Sequence, residues 1–481
     1  MNKNSILKSF FWKFLERAGT QIVNLVVQVI LARLIAPSEF GCLAVLIVFV
    51  NIANIFIQKG LSSSIVRKKN ADDLDYDTSL WASFALAGLL YIIIFFTAPF
   101  IAKLYNSSIL TLSLRIFSLQ LFFGSLYCIQ NAILVREMQF KSIFVRGMIS
   151  SIGAGVIGIA LAYLGGGLWA LVAQTLMNQI LCCLTAWNVV SWKPKFRFSK
   201  KRLSEILSFG GKILISELLN YSVEGIRTLA IGKAYSTEAL SFYDRGQTYP
   251  ATLMRGVYDT IGGVLLPVFS RKQENDEDLG NTVIQSCSIT FYLTTPVFVG
   301  MAAVANSLIP LLLTDKWIGA IPFFVLFSFY WIPYPIQGIC KNGIYAKGDS
   351  DSVLKIEIAK TVITFATLAL ALFISPFAIA VAALITMFLT TLLYVLALYK
   401  IIHFSIIKLI AEMIKTAVSV VIMYFLVRMI EMLNVGNILT LLLQVCVGAI
   451  SYLFISFVIK DKNLFICLNM IKGIKKNSIG E

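Results

Sequence analysis

Seven cations stand inside apolar stretches of this chain: Arg17, Arg115, Arg227, Arg245, Arg255, Lys341 and Lys360. An arginine holds phosphate or carboxylate oxygens in a planar fork, and a lysine holds them as a point charge. Together they read as the lining of a cavity for an anionic headgroup. Amides run beside them at helical spacing. Gln21, Asn24 and Gln28 follow Glu16, Arg17 and Thr20 at steps of three and four, and Asn51, Asn54 and Gln58 form a second stripe. Three carboxylates, Glu217, Glu224 and Asp259, are candidates for ion coupling, because burial raises a carboxyl pKa and permits proton exchange. Internal pairing is the competing reading. Glu224 stands three before Arg227, Arg255 four before Asp259, and Glu357 three before Lys360. Arg17 and Arg115 have no opposite charge one turn away.

Other chemistries find no footing. A single histidine, His403, and eight cysteines with no CxxC spacing offer no metal set. The cysteines read as small apolar residues. The chain carries no Walker A loop, HExxH or GxSxG. The expectation is therefore no catalytic residue, no metal, no cofactor and no enzyme activity.

The elements that must position these residues follow from composition. Of 481 residues, 58% are apolar and 14% charged, against roughly 45–50% and about 25% in soluble domains. That excludes a soluble enzyme, a disordered chain and a disulfide scaffold. Segments of spanning length run from 10–32 to 436–459, fourteen in all. The segment 239–268 is polar for a span, and 353–399 reads as a hairpin turning at Ser375-Pro376. The net charge of +16 invites a nucleic-acid reading, but the positions of the bases oppose it. Twenty-six Lys and Arg fall in the termini and alternate connections, and five (Arg33, Lys103, Lys233, Lys316, Arg428) on the other side. This bias places both termini in the cytoplasm and supports fourteen crossings. The acidic run Asp72, Asp73, Asp75 and Asp77, beside Arg67-Lys68-Lys69, reads as a solvated cytoplasmic loop.

The chain also repeats. Arg17 and Glu217, Gln21 and Tyr221, Asn24 and Glu224, Gln28 and Thr228, and Arg33 and Lys233 pair at an offset of about 200 residues. Six helices separate the copies, so both halves enter the membrane the same way. Transporters commonly place substrate between such halves. The expected architecture is all-α and polytopic: an N-terminal lobe over 1–191, a cytoplasmic linker over 192–207 and a C-terminal lobe over 208–400. Two further helices and a basic tail occupy 401–481. Helices 1, 2, 7 and 8 are expected to line a cavity, and helices 3, 5, 6 and 14 to be structural.

Several stretches resemble Wzx-type polysaccharide exporters, in the colanic-acid-exporter-like branch of the multidrug/oligosaccharidyl-lipid/polysaccharide superfamily. They are Leu31 to Gly41 with the turn Pro37-Ser38-Glu39, Gly60 to Lys68, Leu134 to Lys141, Gly166 to Val172, Leu266 to Arg271, and Lys316-Trp317. The resemblance implies two six-helix lobes around a central cleft, with two extra C-terminal helices. It implies flipping of an undecaprenyl-diphosphate-linked oligosaccharide across a bacterial inner membrane for O-antigen, capsule or exopolysaccharide synthesis, by lobes that rock between inward-open and outward-open states. The partners expected are that substrate, membrane lipid, a coupling proton or sodium ion, and a glycan polymerase; no nucleic acid is expected. An ion-coupled drug/cation antiporter of the same superfamily is the first rival, and it calls for an acid-lined site. A glycan polymerase or ligase is the second, and it calls for a large outer loop that this chain lacks.

Overall fold

The computed structural model describes the backbone of residues 3–68, 71–433 and 436–469. It describes the side chains of these except at 3–18, 59–60, 209–210, 212–213, 216, 219–220 and 257–264. Among the described residues the chain forms fourteen helical rods and no strand. The first six are α1 (Lys3–Leu34), α2 (Pro37–Arg67), α3 (Asp73–Leu104), α4 (Ile109–Arg136), α5 (Phe140–Tyr163) and α6 (Leu168–Val189). After a linker come α7 (Lys200–Ala234), α8 (Thr237–Ser270), α9 (Asp276–Leu313), α10 (Asp315–Ala346), α11 (Ser350–Ala371) and α12 (Pro376–Ile402). Last are α13 (Ile406–Leu433) and α14 (Asn437–Val458). Ten of these rods are long and apolar enough to cross a membrane. The other four are α1, α7, α8 and α11, and all four carry charged residues singled out above. Length and composition over the described residues thus establish ten crossings, against the fourteen expected.

Short punctuated connections explain why rods rather than one continuous helix form. The turn between α5 and α6 uses Gly165 at φ 79° and Gly167 at φ 50°, conformations that strain any residue with a Cβ. The hairpin expected within 353–399 is present, with the Ser375 hydroxyl capping α12 by accepting from Ala378 N–H at 3.0 Å. Two rods are interrupted. α4 breaks at Ser118-Leu119, and α10 breaks at Trp331 to Pro333, ahead of Pro335. These are the fourth helix of each half of the repeat.

The chain divides into two compact units, Met1–Ser241 and Phe242–Glu481. In the first, α7 packs on α2 and α3, so the rod that opens the second copy of the sequence repeat lies in the first unit. α5 packs closely on α1 and α6 through small residues. A methyl on Gly155 would come within 2.5 Å of Val27 Cγ2, and one on Gly158 within 2.5 Å of Gln174 Cβ. In the second unit one apolar cluster joins α8, α9, α10, α11 and α12 around Phe269, Cys287, Cys340 and Tyr394, and another joins α9, α13 and α14.

The acidic run differs from its sequence reading. Asp72 caps α3 in a reciprocal box with Asp75, but Asp75 and Asp77 are 0% exposed. Lys68 Nζ lies 2.6 Å from Asp75 Oδ1, and Arg202 Nη2 lies 3.1 Å from Asp72 Oδ2. Asp77 accepts from the Lys195 backbone N–H at 2.9 Å, with Arg197 Nε 3.6 Å from its other oxygen. Trp81 donates to Lys195 O at 2.9 Å and stacks on Phe196. Asp72 and Asp73 stay exposed, whereas Asp75 and Asp77 are buried where the basic linker folds back over them and supplies both counter-charge and donors. The Asp75 backbone N–H, and then the Asp75 side chain and the cations Arg202 and Lys68, hold the Asp72 carboxyl below its usual pKa.

Two outcomes follow. Gly158→Leu is expected to lower stability by about 1–3 kcal/mol through overpacking against the Gln174 stem, while Gly153→Ala, which meets only the end of Leu181, is tolerated; thermal unfolding in detergent compares them. Asp77→Ala leaves the Lys195 N–H without its acceptor, and trypsin is then expected to cut at Lys195 or Arg197 faster than in the wild type. Equal cleavage rates would mean the linker is held by other contacts.

Candidate functional site

The polar interior of the first unit is assembled on one face of α4. Gln120, Gly124, Tyr127 and Asn131 recur at steps of four, three and four, which aligns them along the helix. Gly124 provides room for three amides from two other rods. A methyl there would meet Gln58 Nε2 at 2.9 Å, Asn54 Oδ1 at 3.2 Å and Gln179 Nε2 at 3.5 Å. Gln58 donates to Asn54 Oδ1 at 3.1 Å, and Asn51 Nδ2 donates to the Tyr221 hydroxyl of α7 at 3.2 Å. α2 winds into a π-helical turn over Ile55–Lys59 beside these amides, a distortion frequent at functional positions. Below, the Tyr127 hydroxyl and Asn131 Oδ1 both accept from Arg146 Nη2, at 2.8 and 3.0 Å. Amides and phenols in an apolar bundle are the donor and acceptor set that sugar hydroxyls match.

The sequence-predicted residues distribute unevenly over this frame. Asn51 and Asn54 join the amide cluster. On α1, Gln21 is exposed, while Asn24 and Gln28 are half-buried, with Gln28 Oε1 buried and unpartnered. The side chains of Arg17 and Asp259 lie outside the described residues. Arg115 is drawn to α3, where its Nε donates to Phe95 O at 3.1 Å and its guanidinium lies 4.0 Å from the Phe95 ring centre. Phe96, next to Phe95 in the chain, is exposed. Arg227 is buried on α7, and Glu217 and Glu224 are half-buried there.

In the second unit, Lys341 of α10 and Lys360 of α11 meet at one carboxylate. Lys341 Nζ lies 2.9 Å from Glu357 Oε1, and Lys360 Nζ lies 3.6 Å from Glu357 Oε2. The Tyr394 hydroxyl of α12 donates to Glu357 Oε1 at 2.8 Å. Two cations on one anion leave the cluster with a net positive charge. The Glu357–Lys360 pair was legible from spacing; the Glu357–Lys341 pair joins residues sixteen apart and needed the fold. Arg245 is buried on α8, and Arg255 is exposed on the same rod.

Sequence reasoning missed four residues here. Gln179 and Arg146 lie on α6 and α5, rods expected to be structural, and Arg146 lies inside α5 rather than in the connection before it. Tyr127 and Asn131 were overlooked although their spacing from Gly124 follows the helical repeat.

Compared with known proteins, residues 30–322 match the family described as "Polysaccharide biosynthesis protein". The succinoglycan biosynthesis transport protein ExoT of Rhizobium meliloti (strain 1021) is 26% identical over 322 residues, covering 67% of this chain and 65% of that protein. The lipopolysaccharide biosynthesis protein WzxC of Escherichia coli (strain K12) is 22% identical over 348 residues, covering 70% of this chain and 69% of that one. Among solved structures, the lipid II flippase MurJ in its inward-closed conformation superposes with a TM-score of 0.74 at 15% identity, over 92% of this chain and 97% of its own. That likeness concerns the fold. With more than half of its length matched and its rods arranged in that fold, this multi-pass membrane protein belongs to the polysaccharide biosynthesis protein family, in its Wzx-type branch.

Proposed function

We propose that this protein flips undecaprenyl-diphosphate-linked oligosaccharide repeat units from the cytoplasmic to the outer leaflet of a bacterial inner membrane, for assembly of a surface polysaccharide. The observation that carries the proposal is the polar chemistry, buried or half-buried, in an otherwise apolar bundle. Amides, phenols and a guanidinium converge in the first unit, and two lysines share one carboxylate in the second. Buried polar groups in a membrane mark substrate paths. A glycan headgroup needs many neutral hydrogen bonds, and its diphosphate needs cations; the first unit carries the amides, phenols and a guanidinium, and the second carries the lysines. Family membership points the same way.

On this reading the lobes 1–191 and 208–400 alternate access to the two leaflets, with both termini cytoplasmic and the positive side of the loops facing the anionic inner leaflet. The site residues are Asn51, Asn54, Gln21, Asn24, Gln28, Arg17, Arg115, Arg227, Arg245, Arg255, Lys341 and Lys360. Glu217, Glu224 and Asp259 carry the coupling proton or sodium. The protein makes and breaks no covalent bond; a separate polymerase consumes the flipped units.

The test is the distribution of lipid-linked oligosaccharide between leaflets in a strain lacking the protein. Repeat units are expected to accumulate on the cytoplasmic side and to be relieved by the wild-type chain. Lys341→Ala with Lys360→Ala is expected to slow relief by roughly 10-fold or more, the scale of losing charge-assisted contacts, while inserting normally. Accumulation on the outer leaflet instead would place the protein after translocation and sink the proposal.

A further inference from the structure

The first unit holds a cation that is not among the sequence-predicted site residues. Arg146 lies six residues into α5, about 9 Å along the axis from Phe140. Only 4% of it is exposed. Its Nη2 is held by Tyr127 and Asn131, and its guanidinium sits 4.7 Å from the Tyr127 ring centre. Its Nε and Nη1 are buried with no acceptor, and no carboxylate pairs with it among the described residues. Gln130, next to Asn131 in the chain, is fully buried with both amide atoms unpartnered.

This arrangement is unusual in physical terms. Arginine cannot shed its charge inside a protein, so it cannot escape burial by deprotonating as a lysine can. Buried charges are ordinarily paired. A hydroxyl and an amide oxygen offer Arg146 only partial charges. They do fix its orientation, because both bind the same nitrogen and leave the other two without an acceptor. Tyr127 and Asn131 stand three and seven residues after Gly124, on the face of α4 that carries the amide cluster. Arg146 is therefore a pre-positioned cation at the foot of that cluster, with donors to spare.

We propose that Arg146 is an oxyanion anchor for the lipid-linked glycan in the first unit, taking phosphate or carboxylate oxygens while the amides above it take sugar hydroxyls. This rests on the flippase reading and adds a specificity-determining residue to it. The oxyanion has two sources, the diphosphate of the lipid carrier or a carboxylate on an acidic sugar.

The full-length protein in lipid nanodiscs is titrated with undecaprenyl diphosphate and, separately, with a glucuronate-bearing oligosaccharide. Binding and thermal unfolding are read for wild type, Arg146→Met and Arg146→Lys. Arg146→Met is expected to weaken binding of one probe by roughly 10- to 100-fold, the range for a hydrogen bond to a charged group, and Arg146→Lys by less. Loss confined to the diphosphate assigns the carrier as the source; loss confined to the glucuronate assigns the sugar. Without ligand, Arg146→Met is expected to melt at or above the wild-type temperature. It removes an uncompensated buried charge and leaves the 3.0 Å bond from Tyr127 to Asn131 in place. Wild-type binding with equal binding by Arg146→Met overturns this inference alone. Unliganded melting lowered by several degrees in both variants makes Arg146 a structural tie and overturns it too. A wild type that binds neither probe overturns the flippase reading and this inference together.

Discussion

A side chain that carries a charge or an amide has no favourable place on the lipid face of a helix bundle. Hydrocarbon offers it no partner, so it must turn inward and find another polar group, or wait for one. That constraint organises this protein. Its outer faces carry Phe96, Phe100, Leu370 and Phe454, all largely exposed, while Asn54, Gln58, Gln130 and Arg146 turn inward. Each inward group then needs a partner, and the partners decide which rods touch.

Three kinds of partnership result. The acids at the start of α3 are satisfied by a basic linker, so Asp75 and Asp77 are buried and paired at once. They tie the chain between the two copies of the repeat to the first unit. Glu357 is satisfied twice over, by Lys341 and Lys360, with Tyr394 as a third donor. Arg146 is satisfied only in part. The first kind is mainly structural. The other two leave positive charge that an anionic substrate complements, and they carry the functional reading.

The polar groups also require close approach, which the small residues permit. Gly124 makes room for amides from α2 and α6, and Gly155 and Gly158 bring α5 against α1 and α6. Without a hydrophobic force to drive rods together in lipid, such contacts rest on packing and interhelical hydrogen bonds. On the flippase reading the contacts must also reverse, and hydrogen bonds of modest net strength suit that better than a dense apolar core.

The sequence by itself determined the rods, their order and their turns. Hydropathy marks each long apolar stretch. Gly165 to Gly167 and Ser375-Pro376 mark where the chain reverses. These are local properties, encoded in neighbouring residues. The stripe of Asn51 and Asn54 was legible for the same reason, since helical spacing is local. What the tertiary structure alone decided was which polar groups share a partner. Lys341 meets Glu357 across rods, Arg115 turns to Phe95 rather than to the amides, Asp75 and Asp77 are buried by a linker 118 and more residues away, and Arg146 faces Tyr127 from another helix. A sequence shows that a charge lies within a span. Whether another rod brings it a counter-charge depends on packing, and that depends on the whole bundle at once.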